Sequence, residues 1–124
     1  MFDIGTLINV LLMVFVAWFL FQRFVPVKGI KNISTSELKS ELKKKDKQFI
    51  DVRTPSEFKA NRIKEFKNIP LYELQRRAKG LSKEKEVIVI CQSGMRSGKA
   101  SKLLKKLGFK NITNVKGGMG AWRL

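Results

Sequence analysis

The chain begins with an uninterrupted apolar run. Residues 4–22 carry no charge, and up to Phe21 only Gly5, Thr6 and Asn9 depart from strongly apolar side chains. As an α-helix rising about 1.5 Å per residue, the run would reach about 28 Å, close to the hydrocarbon thickness of a bilayer. This pattern predicts a transmembrane anchor, with a cleaved signal peptide or a buried core helix as alternatives. The signal peptide fits less well because no basic region precedes the run and no Ala-x-Ala site follows it.

Charges on either side of the run predict its orientation. Only Asp3 precedes it, whereas Arg23, Lys28 and Lys31 follow it closely. An excess of Lys and Arg marks the cytoplasmic flank of a membrane span. We therefore expect a single-pass protein of the cell membrane whose C-terminal domain lies in the cytoplasm, where a reducing environment keeps a lone thiol free.

The rest of the chain alternates short strand and helix patterns. We expect an anchor with its linker at residues 1–28 and one domain at residues 29–124. Ser34 and Thr54 each open a capping box in front of a helix, and the β-branched run Val87–Ile90 is typical of a strand buried on both faces. The other predicted strands are 47–52, 67–70 and 111–115, and the predicted helices end at Leu42, Asn61, Gly80 and Gly108.

This alternation predicts an α/β fold, with a small parallel β-sheet of about five strands and helices on both faces, preceded by one transmembrane helix. Ligands of such sheets bind at the carboxyl ends of the strands. Asn61 is expected to end its helix in the left-handed conformation that Asn tolerates.

Composition excludes several kinds of chemistry. The chain has one Cys and no His, which excludes intrachain disulfides, Cys/His zinc sites and an imidazole base. We expect neither a metal nor another cofactor. Lys and Arg number 26 against 10 Asp and Glu, a net charge of +16. The lysines are scattered and lack an aromatic stacking stripe, so nucleic acid is not an expected partner, and a solvated basic surface is the simplest interpretation. The positive charge would draw the domain towards an anionic membrane leaflet. It would also concentrate anionic small molecules near the domain.

The single cysteine lies where a ligand is expected. Cys91 directly follows the strand Val87–Ile90 and precedes a helix predicted to start near Arg96. Such a turn exposes backbone N–H groups that, with the helix dipole and Arg96, would stabilise a thiolate. Cys91 is therefore a candidate nucleophile, and the alternative is a buried cysteine acting as a small hydrophobic residue. Cysteine phosphatases place their Arg six residues after the Cys, whereas Arg96 follows after five, so the loop is too tight for that chemistry.

Five motifs, in the order of the family, resemble the rhodanese-like sulfurtransferase domains of the single-domain type. They are Asp51–Phe58, Asn68–Pro70, the loop Cys91-x-x-Gly94-x-Arg96-Ser97, Leu107–Phe109 and Gly117–Trp122. One departure is Asn61-Arg62 where many members have Gly-His. The resemblance covers nearly all of residues 30–124.

The resemblance implies a thiosulfate sulfurtransferase. A thiolate matching Cys91 would attack the sulfane sulfur of thiosulfate or a persulfide, form a cysteine persulfide and pass that sulfur to cyanide, a thiol or a protein acceptor. Backbone donors of residues 92–97 would stabilise the outer sulfur, and Arg96 would hold the loop and the anionic end of the donor. The donor-binding residues implied by the resemblance are Gln92, Ser93, Gly94, Met95, Arg96 and Ser97.

The other motif residues are expected to be structural. Asp51 and Arg53 are interpreted as an ion pair that fixes the following turn, and Glu57 as a capping carboxylate. Gly117 and Gly118 are expected to permit a tight turn, and Trp122 to pack in the core.

Three alternatives to the sulfurtransferase remain. They are a sulfur-relay module between proteins, a basic adaptor at the membrane in which Cys91 is dispensable and, last, a phosphatase or arsenate reductase.

Overall fold

The computed structural model describes residues 3–24 and 29–123, with the side chains of 22–24 left out. The predicted linker at 25–28 and the flanking side chains of Arg23 and Lys28 lie outside the described residues. The elements are α1 (Ile4–Phe24), β1 (Ile30–Ile33), α2 (Thr35–Glu41), β2 (Gln48–Asp51), α3 (Pro55–Ala60), β3 (Lys67–Asn68), α4 (Leu71–Arg77) with a 3-10 turn (Ala78–Gly80), β4 (Val87–Ile90), α5 (Met95–Lys106), β5 (Ile112–Val115) and α6 (Gly118–Ala121).

Helix α1 carries the apolar run. Within the described part of the chain, it is the one helix long and apolar enough to cross a membrane, and its side chains from Ile4 to Phe21 are exposed. Length and composition of a single helix near the N-terminus suggest a span only weakly, because a signal sequence passes the same test. The anchor therefore stays a prediction.

All strands of the sheet are parallel. Their order is β1-β5-β4-β2-β3, and β4 lies in the middle with β5 and β2 as neighbours. The predicted parallel α/β fold is confirmed. Strand β1 was not assigned from the sequence, because its two central residues, Lys31 and Asn32, are polar and exposed on the edge of the sheet. Strand β3 is shorter than the predicted 67–70, since Pro70 lacks an N–H and caps α4 instead.

Two hydrophobic layers cover the sheet because side chains alternate between its faces. Val87 and Val89 of β4 pack into one cluster with α4 and α5, whereas Ile88 and Ile90 pack into the other beneath α2. All four side chains are fully buried. The β-branched run therefore fills both layers, and the next residue, Cys91, falls on the side of α5.

The two predicted capping boxes are both present. The hydroxyls of Ser34 and Thr54 accept hydrogen bonds from the N–H groups of Glu37 and Glu57, whose carboxylates accept from the two cap N–H groups in return. The expectation for Asn61 is wrong: with φ −163° it is extended rather than left-handed. Its carbonyl accepts a hydrogen bond from Arg53, and this contact sets its backbone conformation.

The predicted ion pair between Asp51 and Arg53 is confirmed and buried. Arg53 is 2% exposed, and its Nε and Nη2 donate to the Asp51 carboxylate at 3.0 and 2.8 Å. The guanidinium also donates to the backbone carbonyls of Glu57 and Asn61. The pair thus ties the end of β2 to the first turn of α3 and to the residue that follows the helix.

We expect Arg53→Ala to lower the free energy of unfolding by about 3–5 kcal/mol, because it leaves the Asp51 carboxylate buried without its partner. Arg62→Ala is the matched control, since Arg62 is exposed and stacks on the Phe58 ring, which should be worth about 0.5–1 kcal/mol. Urea unfolding of the full chain in detergent measures both. Equal losses for the two variants would contradict a buried charge network.

Candidate active site

Cys91 lies at the carboxyl end of the central strand. Strand β4 ends at Ile90, and a short loop leads to α5, which begins at Met95, one residue before the predicted start. Gly94 caps the helix with φ +107°, a left-handed conformation that favours glycine. This conformation lets the chain enter the helix at Met95, after a loop of only four residues that begins with the cysteine.

The sulfur of Cys91 is surrounded by hydrogen-bonding groups. The N–H of Gly94 donates to Sγ at 3.0 Å, and the Ser97 hydroxyl lies 3.3 Å from Sγ. The same hydroxyl also lies 3.2 Å from the Gly94 carbonyl oxygen. Because α5 begins here, the N–H groups of its first turn have no partner within the helix and face the same region. The cysteine therefore has polar partners that a merely hydrophobic residue would not need.

Two opposed effects act on the pKa of Cys91. Burial is the largest and raises it, because the thiolate loses contact with water. Hydrogen bonds from the Ser97 side chain and from the backbone N–H groups of Ser97, Gly94 and Ser93 act the other way. Together they outweigh burial and hold the pKa of Cys91 below its ordinary value.

Access to the sulfur depends on the loop. Cys91 is 0% exposed, whereas Met95 beside it is 73% exposed, and Gln92 and Ser93 are exposed too. Because Cys91 is fully buried, a small molecule can reach Sγ only when the residues around it move.

Arg96 is held by an acidic partner that the sequence analysis did not assign to it. Its Nη1 and Nη2 donate to Glu57 Oε1 and Oε2 at 2.6 and 3.0 Å. The hydrogen bond from Arg96, followed by that from Thr54, lowers the pKa of Glu57 to about 2 against the cost of burial. The pair therefore stays ionised through the neutral range and joins the N-terminus of α3 to that of α5.

A glycine-rich segment supports the cysteine loop from behind. The N–H groups of Met119 and Gly120 donate to the carbonyls of Cys91 and Gln92 at 2.8 and 2.9 Å. A Cβ at Gly118 would overlap the carbonyl of Cys91 and come within 2.9 Å of its carbon atom. From the sequence alone, Gly117 and Gly118 are expected only to permit a tight turn. The position of these glycines in the order of the motifs indicated that they belong to the site. The close approach of Gly118 to Cys91, however, depends on how β4 and β5 pair.

The six predicted donor-binding residues are consecutive in the loop and the first turn of α5, and their role in binding a donor stays a prediction. Gly94 and Ser97 contact Sγ, and Arg96 lies at the start of α5. Gln92 points its Oε1 to within 3.5 Å of Arg53, at the rim. Trp122 is half-buried against the second cluster, with the Lys39 ammonium 5.7 Å from its ring centroid. Among the residues that the structure describes, no group of three or more His, Cys, Asp or Glu side chains is arranged to hold a metal ion.

A parallel α/β domain with a hydrogen-bonded cysteine at the end of its central strand is typical of proteins that use a cysteine as a nucleophile. Comparison with known proteins narrows this class. The Rhodanese-like domain family matches residues 34–124. Among relatives, the protein YqhL of Bacillus subtilis is 38% identical over 93 residues, covering 75% of this chain and 72% of its own length. The thiosulfate sulfurtransferase GlpE of Coxiella burnetii is 30% identical, with 75% and 87% covered.

A solved structure agrees with these relatives. The crystal structure of a rhodanese-like domain protein from Staphylococcus aureus superimposes with a TM-score of 0.70 at 35% identity, covering 75% of this chain and 91% of that one. The chain belongs to the rhodanese-like sulfurtransferase family.

We expect Gly118→Ala to destabilise the domain by about 2–5 kcal/mol, from the strain at φ +54° and the overlap with Cys91. Gly80→Ala is the matched control, because a Cβ at Gly80 would meet no atom within 4 Å, and its effect should stay within about 0.5 kcal/mol. Urea unfolding measures the loss of stability, and the rate of Cys91 alkylation measures the disturbance of the cysteine loop. Wild-type values for Gly118→Ala would show that the close approach is unnecessary.

We expect Ser97→Ala to raise the pKa of Cys91, because the side-chain hydrogen bond that favours the thiolate is lost. At a fixed pH below the midpoint, less thiolate is then present, so alkylation by iodoacetamide slows and its pH profile moves to higher pH. Ser101→Ala is the matched control, since its buried hydroxyl bonds the Ser97 carbonyl one turn along and not the sulfur. Identical pH profiles for the two variants would contradict this role of Ser97.

Proposed function

We propose that this protein is a membrane-tethered sulfurtransferase that moves a sulfane sulfur from thiosulfate or a persulfide donor to a thiophilic acceptor through a persulfide on Cys91. The observation that carries the proposal is the hydrogen bonding of Sγ at the start of α5, where Sγ accepts from the Gly94 N–H and the thiol donates to the Ser97 oxygen. Once the thiol has lost its proton, the Ser97 hydroxyl donates to it instead, and this hydrogen bond together with the backbone N–H groups lowers the pKa of Cys91 without a histidine, which the chain lacks.

The reaction has two balanced displacements. The Cys91 thiolate attacks the outer sulfur of thiosulfate, a new S–S bond forms, and the S–S bond of thiosulfate breaks as sulfite leaves with the electron pair. An acceptor such as cyanide then attacks the outer sulfur of the persulfide, giving thiocyanate and returning the Cys91 thiolate. Neither step needs a proton from a side chain or an external oxidant.

The loop offers the stabilisation that the intermediate needs. A persulfide places its outer, anionic sulfur about 2 Å beyond Sγ. The backbone N–H groups of Ser93, Gly94 and Ser97 already act on Sγ, and the dipole of α5 favours negative charge next to it. Burial of Cys91 keeps water away from the intermediate, and release of the sulfur then requires the same loop shift as loading.

Four residues at the rim are proposed to choose the donor. Gln92, Ser93 and Met95 are exposed where a donor would enter, and Arg96 brings a positive charge beside them. Because Glu57 already binds Arg96 through both oxygens, that charge is partly neutralised. We expect weak binding of small anions and a role for Arg96 mainly in keeping the loop in shape.

The membrane tether rests on α1. Its exposed apolar side chains and its length suit a bilayer, and the basic flank favours the cytoplasm for the domain. A reducing compartment keeps Cys91 as a thiol, which the proposed reaction requires.

A relay between proteins is the second candidate, and the complete burial of Cys91 favours it. A protein donor can shift residues 92–95 on binding, whereas thiosulfate must wait for the loop to open by itself. In that case transfer from a persulfidated protein outpaces transfer from thiosulfate.

The first test is the intact mass of the full chain in detergent, before and after thiosulfate, with cyanide added last. We expect the gain of one sulfur atom, its absence in Cys91→Ser, and its removal by cyanide with release of thiocyanate. Cys91 is the only cysteine, so the variant is a complete control for thiol chemistry.

Other outcomes assign the alternatives. A gain only from a persulfidated protein supports the relay. No gain from either donor, in protein whose circular dichroism is native, contradicts sulfur transfer and leaves the adaptor. Turnover of a phosphate ester that disappears in Cys91→Ser would overturn the interpretation of the short loop.

A further inference from the structure

The lysines are distributed unevenly around the sheet. In a parallel sheet every strand starts at the same side, here named the amino edge and formed by the segments leading into the strands, 29–31, 41–47, 64–67, 78–86 and 105–111. These segments contain 13 of the 19 lysines and five acidic residues. Twelve of these 13 lysines are exposed. The segments that leave the strands on the side of Cys91 are 34, 52–54, 69–70, 91–94 and 116–117. They contain one lysine, Lys116.

Several acids of the amino edge are already engaged. Glu86 and Glu41 both pair with Lys47, and Glu84 pairs with Lys110 at 3.1 Å. Because 13 lysines face five acids here, the edge keeps a net positive charge, and it is carried by exposed side chains.

The chain enters the domain at this same edge. Helix α1 ends at Phe24 and β1 begins at Ile30. The chain between these two residues can span at most about 20 Å. The ammonium end of Lys105 lies against Gly29, the residue before β1. Lys31 and Lys110 line a shallow groove of 320 Å³ beside the same glycine. Three lysines, Lys31, Lys105 and Lys110, thus lie at the point of attachment, with Glu86 beside them.

We propose that the amino edge docks on anionic lipid headgroups, which turns the Cys91 loop away from the bilayer. The proposal rests on the membrane tether of the proposed function, because the short connection holds this edge next to the headgroups. The Debye length is about 8 Å at physiological ionic strength, so only lysines brought close to the surface are attracted, and the attachment at β1 brings these close.

Strand direction then decides where the sulfur is handed over. Strand β4 separates the amino edge from Cys91 by roughly 13 Å of extended chain, and the loop opens on the far side. The acceptor therefore approaches from the aqueous side rather than along the plane of the membrane.

The test labels lysines of the full chain in phospholipid nanodiscs. Discs of phosphatidylcholine alone are compared with discs containing phosphatidylglycerol, and acetylation at each lysine is read by mass spectrometry. In the anionic discs, we expect several-fold protection of Lys45, Lys105 and Lys106, lost in high salt, and unchanged labelling of Lys99 and Lys116. Equal labelling in both kinds of disc overturns the docking.

Two matched variants separate docking from total charge. Lys45→Glu with Lys106→Glu removes positive charge from the amino edge, and Lys99→Glu with Lys116→Glu makes the same change near the carboxyl ends of the strands. We expect the first pair to abolish protection of Lys105 and the second to leave it intact. Equal effects of the two pairs would overturn the assignment to this edge.

Failure of the tether has a different signature. A chain that does not float with phosphatidylcholine vesicles has no membrane anchor, and both the tether and the docking are then wrong. Flotation with equal labelling in both kinds of disc supports the tether and overturns only the docking.

Protection of these lysines by a DNA duplex, without protection on anionic discs, would instead make this edge a nucleic-acid surface. Sulfur loading of Cys91, measured separately by mass, is independent of each of these results.

Discussion

The candidate site depends on two backbone hydrogen bonds that hold the cysteine loop from behind. Met119 and Gly120 donate to the carbonyls of Cys91 and Gln92, so those carbonyls point away from the sulfur. The N–H groups of the loop are then directed towards Sγ, as the contact from Gly94 shows. Reversed peptide planes would place carbonyl oxygens around the sulfur and disfavour its anion. Gly118 allows the two segments to approach closely enough for this arrangement.

The same arrangement explains how a buried thiol can be acidic. Burial alone would raise the pKa of Cys91, and the donors of Ser97, Gly94 and Ser93 reverse that effect. In a dry environment such hydrogen bonds are strong, so the burial that penalises the thiolate also strengthens the groups that stabilise it. The guanidinium of Arg96 is bound by Glu57. Its ion pair acts on the shape of the loop through the start of α5.

The sequence predicted the parallel fold and the position of Cys91 because both follow from local patterns. The β-branched run Val87–Ile90 is typical of a buried strand, and the capping boxes at Ser34 and Thr54 locate two helix starts. Strand β1 escaped prediction because it is short, polar in its middle and defined by pairing with β5.

Contacts between distant segments were less predictable. The partnership of Glu57 with Arg96 and the support from Gly118 join residues far apart in the sequence, and only the folded chain brings them together. The extended conformation of Asn61 was mispredicted for a related reason. Its carbonyl serves the buried Arg53, and this long-range demand overrides the local preference of Asn for the left-handed region.

Strand direction links the chemistry to the proposed location. In a parallel sheet, the attachment before β1 and the nucleophile after β4 must lie on opposite sides, whatever the connecting loops do. The proposed tether at the N-terminus would therefore restrict the position of the domain without crowding its reactive loop. A lysine-rich amino edge would add orientation to this restriction, because tumbling on a short linker would otherwise bring the loop against the headgroups for part of the time. The distribution of charge and the direction of the strands thus favour the same proposed arrangement, in which Cys91 faces the side where soluble donors and acceptors would be found.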